Sequence, residues 1–526
     1  MKSPARLVLA LVAAAAFGGL VATGLHLGLQ SQAQAETPAQ ADALPPLFHT
    51  TASDVAVSGL PAAVDGQPLP SLAPMLERVI PAVVSVHTRQ RVRTRSPFGD
   101  DPFFRRMFPE LTQQQLNQSL GSGVIIDAGG AIIGRGYNRR EKERNALAHA
   151  ELGRIPRPAA AEIAEKATTA HVKLDRVKEI ENEIHHDLMA MVKALTEVCG
   201  ADSGKFIHLG ATSYDIEDTA LALQLSRAMG IIEDDLLSVR DTLAGLAERT
   251  KRLVCVGRTH GQHAVPTTYG LKFAIHACEF QRHVERLRQA RSRVRAGKMT
   301  GAVGTQASFG ARAGELQRLV MARLGIDSAP VSNQVIQRDR HAEAVFVLAL
   351  AAASGEKMAR EIRNLQRTEI GEISEPFSAK QVGSSTMPQK RNPHKSERIC
   401  SLARIVRALV APALENIPLE HERDLTNSAA ERVIFPESFI LTDYLLRQLK
   451  DVLAGLVFFE DRIAENLRMT GGLIMCEQVM IKMVERGMGR QDAHEILRVA
   501  AQEAFAGRAP LKRVLENNPR VMAVIT

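Results

Sequence analysis

The chain has 526 residues, a formal net charge of +8 and a hydrophobic fraction of 45%. At roughly 100–200 residues per domain, this length predicts two to four domains. An aromatic fraction of 4% without tryptophan is low for an all-β sandwich and favours helical packing. The charge excess is mild for so long a chain, so it suits an anionic substrate but gives no reason to expect nucleic-acid binding.

The first 35 residues have the pattern of a signal peptide or an uncleaved membrane anchor. Lys2 and Arg6 precede an apolar run over residues 7–29, and a small-x-small cleavage pattern ends at Ala35. This pattern predicts membrane contact through the apolar run and a membrane or periplasmic location. Residues 36–75, rich in Ala, Pro, Gln and Ser, are predicted to form a disordered linker.

Residues 76–128 are predicted to form a short α/β fragment. A helix runs into a strand that ends near Val86, and residues 121–127 have the pattern of a turn and a strand. With the leader and linker before it, the fragment resembles the start of a Do-type periplasmic serine protease. Protease chemistry needs a nucleophile in a GxSGG-like turn besides its His and Asp. No such turn follows, so we predict no protease activity.

Residues 129–147 and the triplet His149-Ala150-Glu151 resemble a fragment of a nucleoside or tRNA deaminase. In that family the triplet supplies one zinc ligand and the Glu that moves the proton. The other ligands would come from a PCxxC pair, which the sequence lacks, so no metal site is predicted. The letters from Ala148 to Gly153 also fit the first long helix of an all-helical domain.

From about residue 146 the chain is predicted to be helical throughout. Apolar residues recur at 4-3-4-3 spacing in two stretches, Ile232, Leu236, Val239, Leu243 and Leu246, and Phe273, Ala277, Phe280, Val284 and Leu287. This spacing places one narrow apolar seam along each helix. Two further long helices are predicted at 340–366 and 436–456. Long helices with narrow seams indicate an extended bundle that other subunits complete.

We divide this helical part into three regions. They are an N-terminal region at 148–255, a central bundle at 256–456, and a C-terminal region at 457–526 that we expect to be truncated. Its five cysteines, at 199, 255, 278, 400 and 476, form no CxxC pair. We therefore expect neither a disulfide framework nor a zinc site, and the helical part is typical of a reducing compartment.

The most specific motif is GSSTMPQKRNP at residues 383–393. It brings the hydroxyls of Ser384 and Ser385 close in sequence to the Lys390 cation and the Asn392 amide. Such groups, with backbone N–H donors, suit a carboxylate and a negative charge that develops beside it. A polar loop without a catalytic role could use the same residue types. The order of the eleven letters, however, resembles the signature loop of the fumarase/aspartase superfamily.

Two other motifs accompany this loop. GRTHGQ places His260 between Thr259 and Gly261, at a position where the superfamily has an acid/base group. GATSYDIEDTA places Thr212 and Ser213 at the start of a predicted helix, where hydroxyls suit an anion but also suit simple capping of the helix.

Three stretches narrow the resemblance to the adenylosuccinate lyases, in a branch like that of archaea. They are HHD, which contains His186, a segment around Gln334, and EHERDLTNSAAER at residues 420–432. The resemblance runs from about 146 to 526. It implies a mainly all-α fold, a long helical bundle of the fumarase/aspartase superfamily. It also implies a cytoplasmic homotetramer with sites shared between subunits, which takes a nucleotide substrate and needs no metal or organic cofactor.

The resemblance further implies a reaction and a set of roles. Fumarate is eliminated from adenylosuccinate to give AMP, and from SAICAR to give AICAR. Ser384 is the implied general base, activated by loop closure and nearby charge, and His260 is the implied general acid. The implied substrate-binding residues are His186, Thr212, Ser213, Gln334, Ser385, Lys390, Asn392, Arg423, Ser428 and Arg432. Arg forks among them suit the nucleotide phosphate.

The sequence departs from the family pattern at its start. The Arg-Tyr segment with which these lyases usually begin is not found, and the protease-like and deaminase-like pieces stand in its place. The leader also conflicts with a cytoplasmic location. These departures keep open two alternatives, an inactive or non-enzymatic exported fusion protein, and another fumarate-releasing lyase such as argininosuccinate lyase.

Overall fold

The computed structural model describes residues 63–64, 67–68, 133–378 and 380–525. The chain divides into two units, Met1–Val79 and Ile80–Thr526. In the first, the two-residue strands β1 (Ala63–Val64) and β2 (Gln67–Pro68) pair antiparallel within the predicted linker. The leader, the rest of the linker and the α/β fragment lie outside the described residues and stay predictions.

The described part of the second unit is mainly helical, as the sequence predicts. Its α-helices are α1 (Ile133–Glu151), α2 (Arg157–Lys166), α3 (Leu174–Ile184), α4 (Asp187–Val198), α5 (Ala201–Gly204), α6 (Ser213–Arg249), α7 (Tyr269–Val294), α8 (Ala313–Leu324), α9 (Asp339–Leu365), α10 (His394–Ala408), α11 (Val410–Glu415), α12 (Thr426–Ala454), α13 (Glu460–Arg468), α14 (Cys476–Glu485), α15 (Arg490–Gly507), α16 (Leu511–Glu516) and α17 (Pro519–Ile525).

Short strands and two 3-10 turns connect these helices. The strands are β3 (Val254–Thr259), β4 (Gln262–Thr268), β5 (Ala296–Gly297), β6 (Asp327–Ser328), β7 (Ile373–Ser374) and β8 (Val457–Phe458), and the turns are Ala307–Phe309 and Leu473–Met475. β5 and β6 pair parallel, while β3–β4 and β7–β8 pair antiparallel.

The bundle consists of α6, α7, α9, α10 and α12, which share one continuous apolar core. Both predicted seams lie in it. Ile232 and Leu236 of α6 and Phe280 and Val284 of α7 are almost fully buried. The helix predicted at 340–366 is α9 to within one residue at each end. Burial of these seams is the main favourable contribution to the fold, at roughly 25 cal/mol per Å² of apolar surface.

The bundle has two ends, which matter for the site. The 37 residues of α6 extend for about 55 Å at the α-helical rise of about 1.5 Å per residue. At the start of α6, Asp218 pairs with Arg338, immediately before α9. Beyond the far end of α6, β3 carries Arg258, which pairs with Glu372 after the end of α9. We call these the α6-start end and the hairpin end.

Two predictions need correction here. The chain is not helical throughout from residue 146, because β3 and β4 form a hairpin between α6 and α7. The helix predicted at 436–456 begins ten residues earlier, at Thr426, and Pro436 lies inside it. A proline is favoured at a first helical position, which made 436 a plausible start. Packing of α12 against α6, α9 and α10 instead holds the helix together across the missing N–H.

The triplet His149-Ala150-Glu151 belongs to α1, whose side chains are described from Lys142 onward. His149 is buried against Phe309, and Glu151 pairs with Arg323 of α8. Burial lowers the pKa of His149 to about 4, so the ring is neutral. This matches the interpretation of these letters as the first long helix of the helical domain.

The C-terminal helices α14 to α17 pack around a separate small core that includes Met483, Leu497 and Leu511. Within the described ranges, no helix is long and apolar enough to cross a membrane, and no cluster of His, Cys, Asp and Glu is arranged to hold a metal ion. The five cysteines are unpaired.

Candidate active site

The start of α6 is built around a buried ion pair. Thr212 caps the helix, and the Asp215 carboxylate accepts a hydrogen bond from the Thr212 N–H at 2.9 Å. Asp215 also pairs with Lys298 at 2.5 Å, and both side chains are fully buried. Further bonds from the N–H groups of Thr300 and Gly301 fix the loop after β5 against this helix. Thr212 and Ser213 therefore occupy a rigid helix start, as predicted, with hydroxyl and N–H groups of the kind that bind anions.

Beside this ion pair, a second buried cation, Arg338, holds α6, α9 and α12 together. Arg338, 2% exposed, lies 2.8 Å from Asp218 of α6 and 2.8 Å from Glu431 of α12. Burial alone would lower the pKa of Arg338, but the two carboxylates outweigh it and raise that pKa. A charge this deep is tolerated only when it is paired, so Arg338 fixes the start of α12 relative to α6.

On this frame the predicted nucleotide-binding residues come together. Arg423 donates to the Gln334 side-chain oxygen at 2.7 Å and stacks on the Tyr214 ring at 3.7 Å from its centroid. Gln334 in turn donates to the Ala302 carbonyl at 2.7 Å. Ser428 lies close enough to the Tyr214 hydroxyl to act on its pKa. A guanidinium stacked on an aromatic face and tied to an amide has a fixed orientation, as a phosphate-binding fork needs.

His186 and Arg432 complete this group. The His186 ring caps α4 by accepting from the Met189 N–H at 3.4 Å, and half of its side chain is exposed. Arg432 lies 3.8 Å from Asp187, the residue that follows His186. Glu217 stands among them on α6. Its pKa is raised to about 8 by burial first, and then by the carboxylates of Asp187 and Asp218.

The signature loop lies at the other end of the bundle. Its base is closed by the Asn392 side chain, which donates to the Gly383 carbonyl at 3.0 Å, and by Gln366 after α9, which donates to the Arg391 carbonyl at 2.9 Å. A Cβ on Gly383 would lie 2.1 Å from the Lys390 carbonyl oxygen, so only glycine allows this closure. Ser385 and Lys390 are exposed, and Ser384 is half-buried.

Ser384 is the residue of this loop with a distinctive environment. Its Oγ accepts hydrogen bonds from the backbone N–H groups of Met387 at 3.1 Å and Thr386 at 3.4 Å. Two N–H dipoles aimed at one oxygen stabilise negative charge on it. The loop therefore favours the form of the serine that could take up a proton.

His260 lies at the tip of the β3–β4 hairpin. Thr259 pairs with Gln262, so His260 and Gly261 form a two-residue turn, with φ of 53° and 75°. Positive φ at both positions is the requirement of a type I′ turn, and a His there is strained. The turn exposes the imidazole at the end of a two-stranded ribbon.

The hairpin is fastened at its base by Glu372, which is fully buried. Glu372 accepts hydrogen bonds from Arg258 at 2.5 Å, the Tyr269 hydroxyl at 2.5 Å and Asn466 of α13 at 2.9 Å. Burial would raise the pKa of Glu372, but these three donors outweigh it and lower that pKa. An isolated two-stranded hairpin is barely stable, so this anchor sets the position of His260.

The structure thus divides the predicted residues into two groups. His186, Thr212, Ser213, Gln334, Arg423, Ser428 and Arg432 lie at the α6-start end. Ser384, Ser385, Lys390, Asn392 and His260 lie at the hairpin end. Among the described residues, no hydrogen bond joins His260 to the signature loop. Two concave surfaces, lined by residues around Glu460–Glu465 and around Glu356–Glu361, contain none of these groups.

Several residues of the site were not identified from the sequence. Tyr214, Glu217 and Asp218 lie inside the quoted GATSYDIEDTA motif, and helical spacing from Thr212 could have placed them on the site. Arg338 and Glu372 have no local signal, because their partners are more than 90 residues away in sequence.

Family models match most of the described helical part of the chain. Residues 115–407 match a family model described as lyase, and residues 472–526 match one described as adenylosuccinate lyase C-terminus. The first match begins some thirty residues before position 146, where the sequence resemblance was expected to begin. The match to the C-terminal family accounts for the small helical cluster of α14 to α17.

Curated relatives align with most of the helical part. Adenylosuccinate lyase of Pyrococcus abyssi is 58% identical over 381 residues, which are 72% of this chain and 84% of that protein. The enzyme of the same name from Methanocaldococcus jannaschii is 51% identical over 382 residues, 72% of this chain and 83% of that one. Both are archaeal, in line with the branch predicted from the sequence.

Solved structures share the fold under other names. The crystal structure of a fumarate lyase from a Mesorhizobium species is 33% identical with a TM-score of 0.68, and the match covers 74% of this chain and 88% of that one. A β-carboxy-cis,cis-muconate cycloisomerase from Acinetobacter calcoaceticus is 30% identical with a TM-score of 0.67, covering 74% and 89%. The same helical bundle therefore serves more than one chemistry, and the site must decide which.

Proposed function

Because the chain belongs to the adenylosuccinate lyase family and is a carbon–nitrogen lyase of the fumarase/aspartase superfamily, we propose that it eliminates fumarate from adenylosuccinate to give AMP, and from SAICAR to give AICAR. The observation that carries this choice is the group at the α6-start end. There Arg423, held by Gln334 and the Tyr214 ring, stands near Arg432 and the start of α6. Two guanidinium groups beside a helix start suit the phosphate of a nucleotide.

The elimination divides into two proton transfers. Ser384, through Oγ, takes the proton from the carbon beside a succinyl carboxylate, and the electrons of that C–H bond form the new double bond of fumarate. The C–N bond breaks, and His260 gives a proton to the departing nitrogen. The two N–H groups that face the Ser384 Oγ support this role, since they favour its deprotonated form. No step needs a metal or an organic cofactor.

Substrate-binding roles follow from position. Ser385, Lys390 and Asn392 would hold the succinyl carboxylates beside Ser384. Thr212, Ser213 and Gln334 would bind the polar groups between the succinyl part and the base. His186, Arg423, Ser428 and Arg432 would bind the phosphate end. The two groups lie at opposite ends of helices of up to about 55 Å. A complete site therefore needs a second subunit whose bundle runs the other way.

We propose a homotetramer with sites formed between subunits. Exposed apolar side chains support it, because they recur on outward faces of four bundle helices, namely Leu271 and Ile275 of α7, Phe346 of α9, Ile405 of α10, and Val433 and Ile440 of α12. Apolar faces of this kind are typical of subunit interfaces. Since the substrates are nucleotides, we propose that the catalytic part works in the cytoplasm, and cell fractionation tests this location.

Activity is tested by the loss of absorbance as adenylosuccinate is cleaved by the full-length protein. We expect Ser384→Ala and His260→Ala each to lower kcat by at least about 100-fold, as expected for loss of a general base or acid. The matched controls Ser292→Ala and His494→Ala, at exposed positions of α7 and α15, should retain wild-type rates. Near-wild-type turnover by either site variant contradicts its role. Cleavage of argininosuccinate in place of adenylosuccinate would favour the alternative lyase.

Shared sites are tested by mixing two inactive variants. Ser384→Ala removes a residue at the hairpin end, and Gln334→Ala removes one at the α6-start end. If one subunit supplies each end, random mixed tetramers regain up to about one quarter of wild-type activity, since some sites then contain both intact ends. No recovery after co-refolding into tetramers would show that each site is formed by a single chain.

A further inference from the structure

Glu217 lies in the phosphate-binding group without a role in the mechanism above. It stands on α6 three residues after Tyr214, so the two residues share one helix face. Tyr214 carries the stacked Arg423. Arg432 and Asp187 of α4 also lie within electrostatic range of Glu217. Part of the Glu217 side chain remains exposed, so a ligand can reach it.

The balance of charges at the α6-start end distinguishes Glu217 from the other carboxyl groups there. The titratable and charged groups that act on it are Asp187 from α4, Tyr214 and Asp218 from α6, Arg432 from α12, and Arg423 from the segment before α12. Arg338 forms ion pairs with Asp218 and Glu431, and Arg432 lies near Asp187.

Glu217 is the carboxyl of this group that lacks an ion pair within 4 Å in the described structure. If it were ionised, the three carboxylates of Glu217, Asp187 and Asp218 would face the two guanidinium groups of Arg423 and Arg432, and the excess would repel an anion. Burial and the nearby Asp187 and Asp218 raise its pKa to about 8, so the carboxyl is largely neutral at pH 7. A neutral carboxylic acid carries one O–H donor, which a carboxylate does not.

We infer that Glu217 binds the phosphate end of the substrate as a neutral acid, donating a hydrogen bond to a phosphate oxygen, and that its ionisation weakens binding. The inference rests on the proposed function, since it takes Arg423 and Arg432 as phosphate ligands. It makes Glu217 a residue that selects for the phosphate group and gives the site an alkaline limit that Arg residues alone would not impose.

The test measures AMP binding to the full-length protein by calorimetry between pH 7 and pH 9.5 at constant ionic strength, with adenosine as the phosphate-free probe. The AMP phosphate is already a dianion over most of this range, because its second pKa is about 6. Loss of the Glu217 proton should raise the Kd for AMP by up to about 30-fold across the range, as each pH unit above the pKa removes most of the protonated form. The Kd for adenosine should stay constant.

Three variants separate the effect of Glu217 on AMP binding from that of other groups. Glu217→Gln keeps a donor that cannot ionise, so AMP binding should remain at pH 7 and lose its dependence on pH. Glu248→Gln, the same change at the exposed far end of α6, should keep the wild-type profile. Asp187→Asn removes one cause of the raised pKa of Glu217, so the loss of AMP binding should move to lower pH.

Each outcome decides between the proposals. If the wild type binds AMP but Glu217→Gln keeps the same pH dependence, the inference about Glu217 is overturned and the proposed function stands. If the wild type binds no AMP, both are overturned. If Glu217→Gln loses its helical circular dichroism, the Asp187→Asn shift decides, and an unshifted profile overturns the inference.

Discussion

Replacing Glu372 by Gln removes the charge at the point where the hairpin that carries His260 is fastened to the helices. The carboxylate accepts from Arg258, Tyr269 and Asn466, and it is fully buried. Gln keeps the shape and one acceptor oxygen, so the bonds from Arg258 and Asn466 can persist. It presents an NH₂ group to the Tyr269 hydroxyl, however, and leaves the Arg258 guanidinium without a counter-charge.

The size of the effect follows from this geometry. Removing one partner of a buried ion pair costs about 3–5 kcal/mol, and the bonds that Gln retains place this change at the lower limit, about 3 kcal/mol. For a helical part of this size, the unfolding entropy is about 0.8 kcal/mol/K, so the melting temperature should fall by about 4 °C. Because His260 lies two residues after Arg258, kcat should also fall by at least about tenfold while KM changes little.

The assay compares thermal melting and steady-state cleavage for Glu372→Gln and for Glu503→Gln, an exposed position on α15 that should behave as wild type. The lowered pKa of Glu372 gives a second check. Stability from a carboxyl with a depressed pKa is present above its unfolded pKa and is lost as pH falls through the folded one. The difference between variant and wild type should therefore shrink in acid. An unchanged melting temperature at neutral pH would refute the anchoring role.

Three further outcomes are expected. Gly383→Ala should lower kcat by at least about tenfold without loss of helical content, because its Cβ would meet the Lys390 carbonyl; Gly245→Ala, in open space on α6, is the control for both rate and circular dichroism. Lys298→Met should destabilise the protein by about 3–5 kcal/mol in thermal melting, since Asp215 would stay buried without its cation. Burial and Asp443 raise the pKa of Asp235 from 3.8 to about 8, so Asp235→Asn should raise the melting temperature by about 2 °C or more at pH 9 and by much less at pH 4, close to the unfolded-state pKa, where the penalty for ionising the buried carboxyl is nearly absent.

Periodicity and capping predicted the parts of this fold that depend on local sequence. The seam from Ile232 to Leu246 is buried as expected, because 4-3-4-3 spacing admits one helix face only. The helix start at Ser213 followed from the Thr and Ser before an apolar run, and Asp215 completes the cap. Such features are set by neighbours within one or two helical turns, so one sequence is enough to predict them.

The hairpin and the long-range ion pairs could not be predicted from neighbouring residues in the sequence. The segment from Val254 to Thr268 lacks strict alternation, and His260 occupies a turn position where Gly or Asn is the usual signal. The start of α12 at Thr426 was not predicted because a proline such as Pro436 usually ends a helix. It is tolerated inside a helix only when packing on other helices compensates for the missing N–H. Arg338 and Glu372 are polar residues in a core, and their partners become apparent only when the helices are placed.

The division of the site between two ends explains why the candidate residues could be named from motifs but not assembled from them. Each motif sits at the end of a rigid element: His260 on a hairpin tip, Ser384 on a loop closed by Asn392, and Arg423 on a stacked fork before α12. Because α6 extends for about 55 Å, the proposed acid and base at the hairpin end lie far from the proposed phosphate fork at the α6-start end of the same chain. The proposed roles therefore make catalysis depend on assembly, and a variant that only disrupts the exposed apolar faces, such as Ile440→Asp, should lose turnover while each chain keeps its helical content.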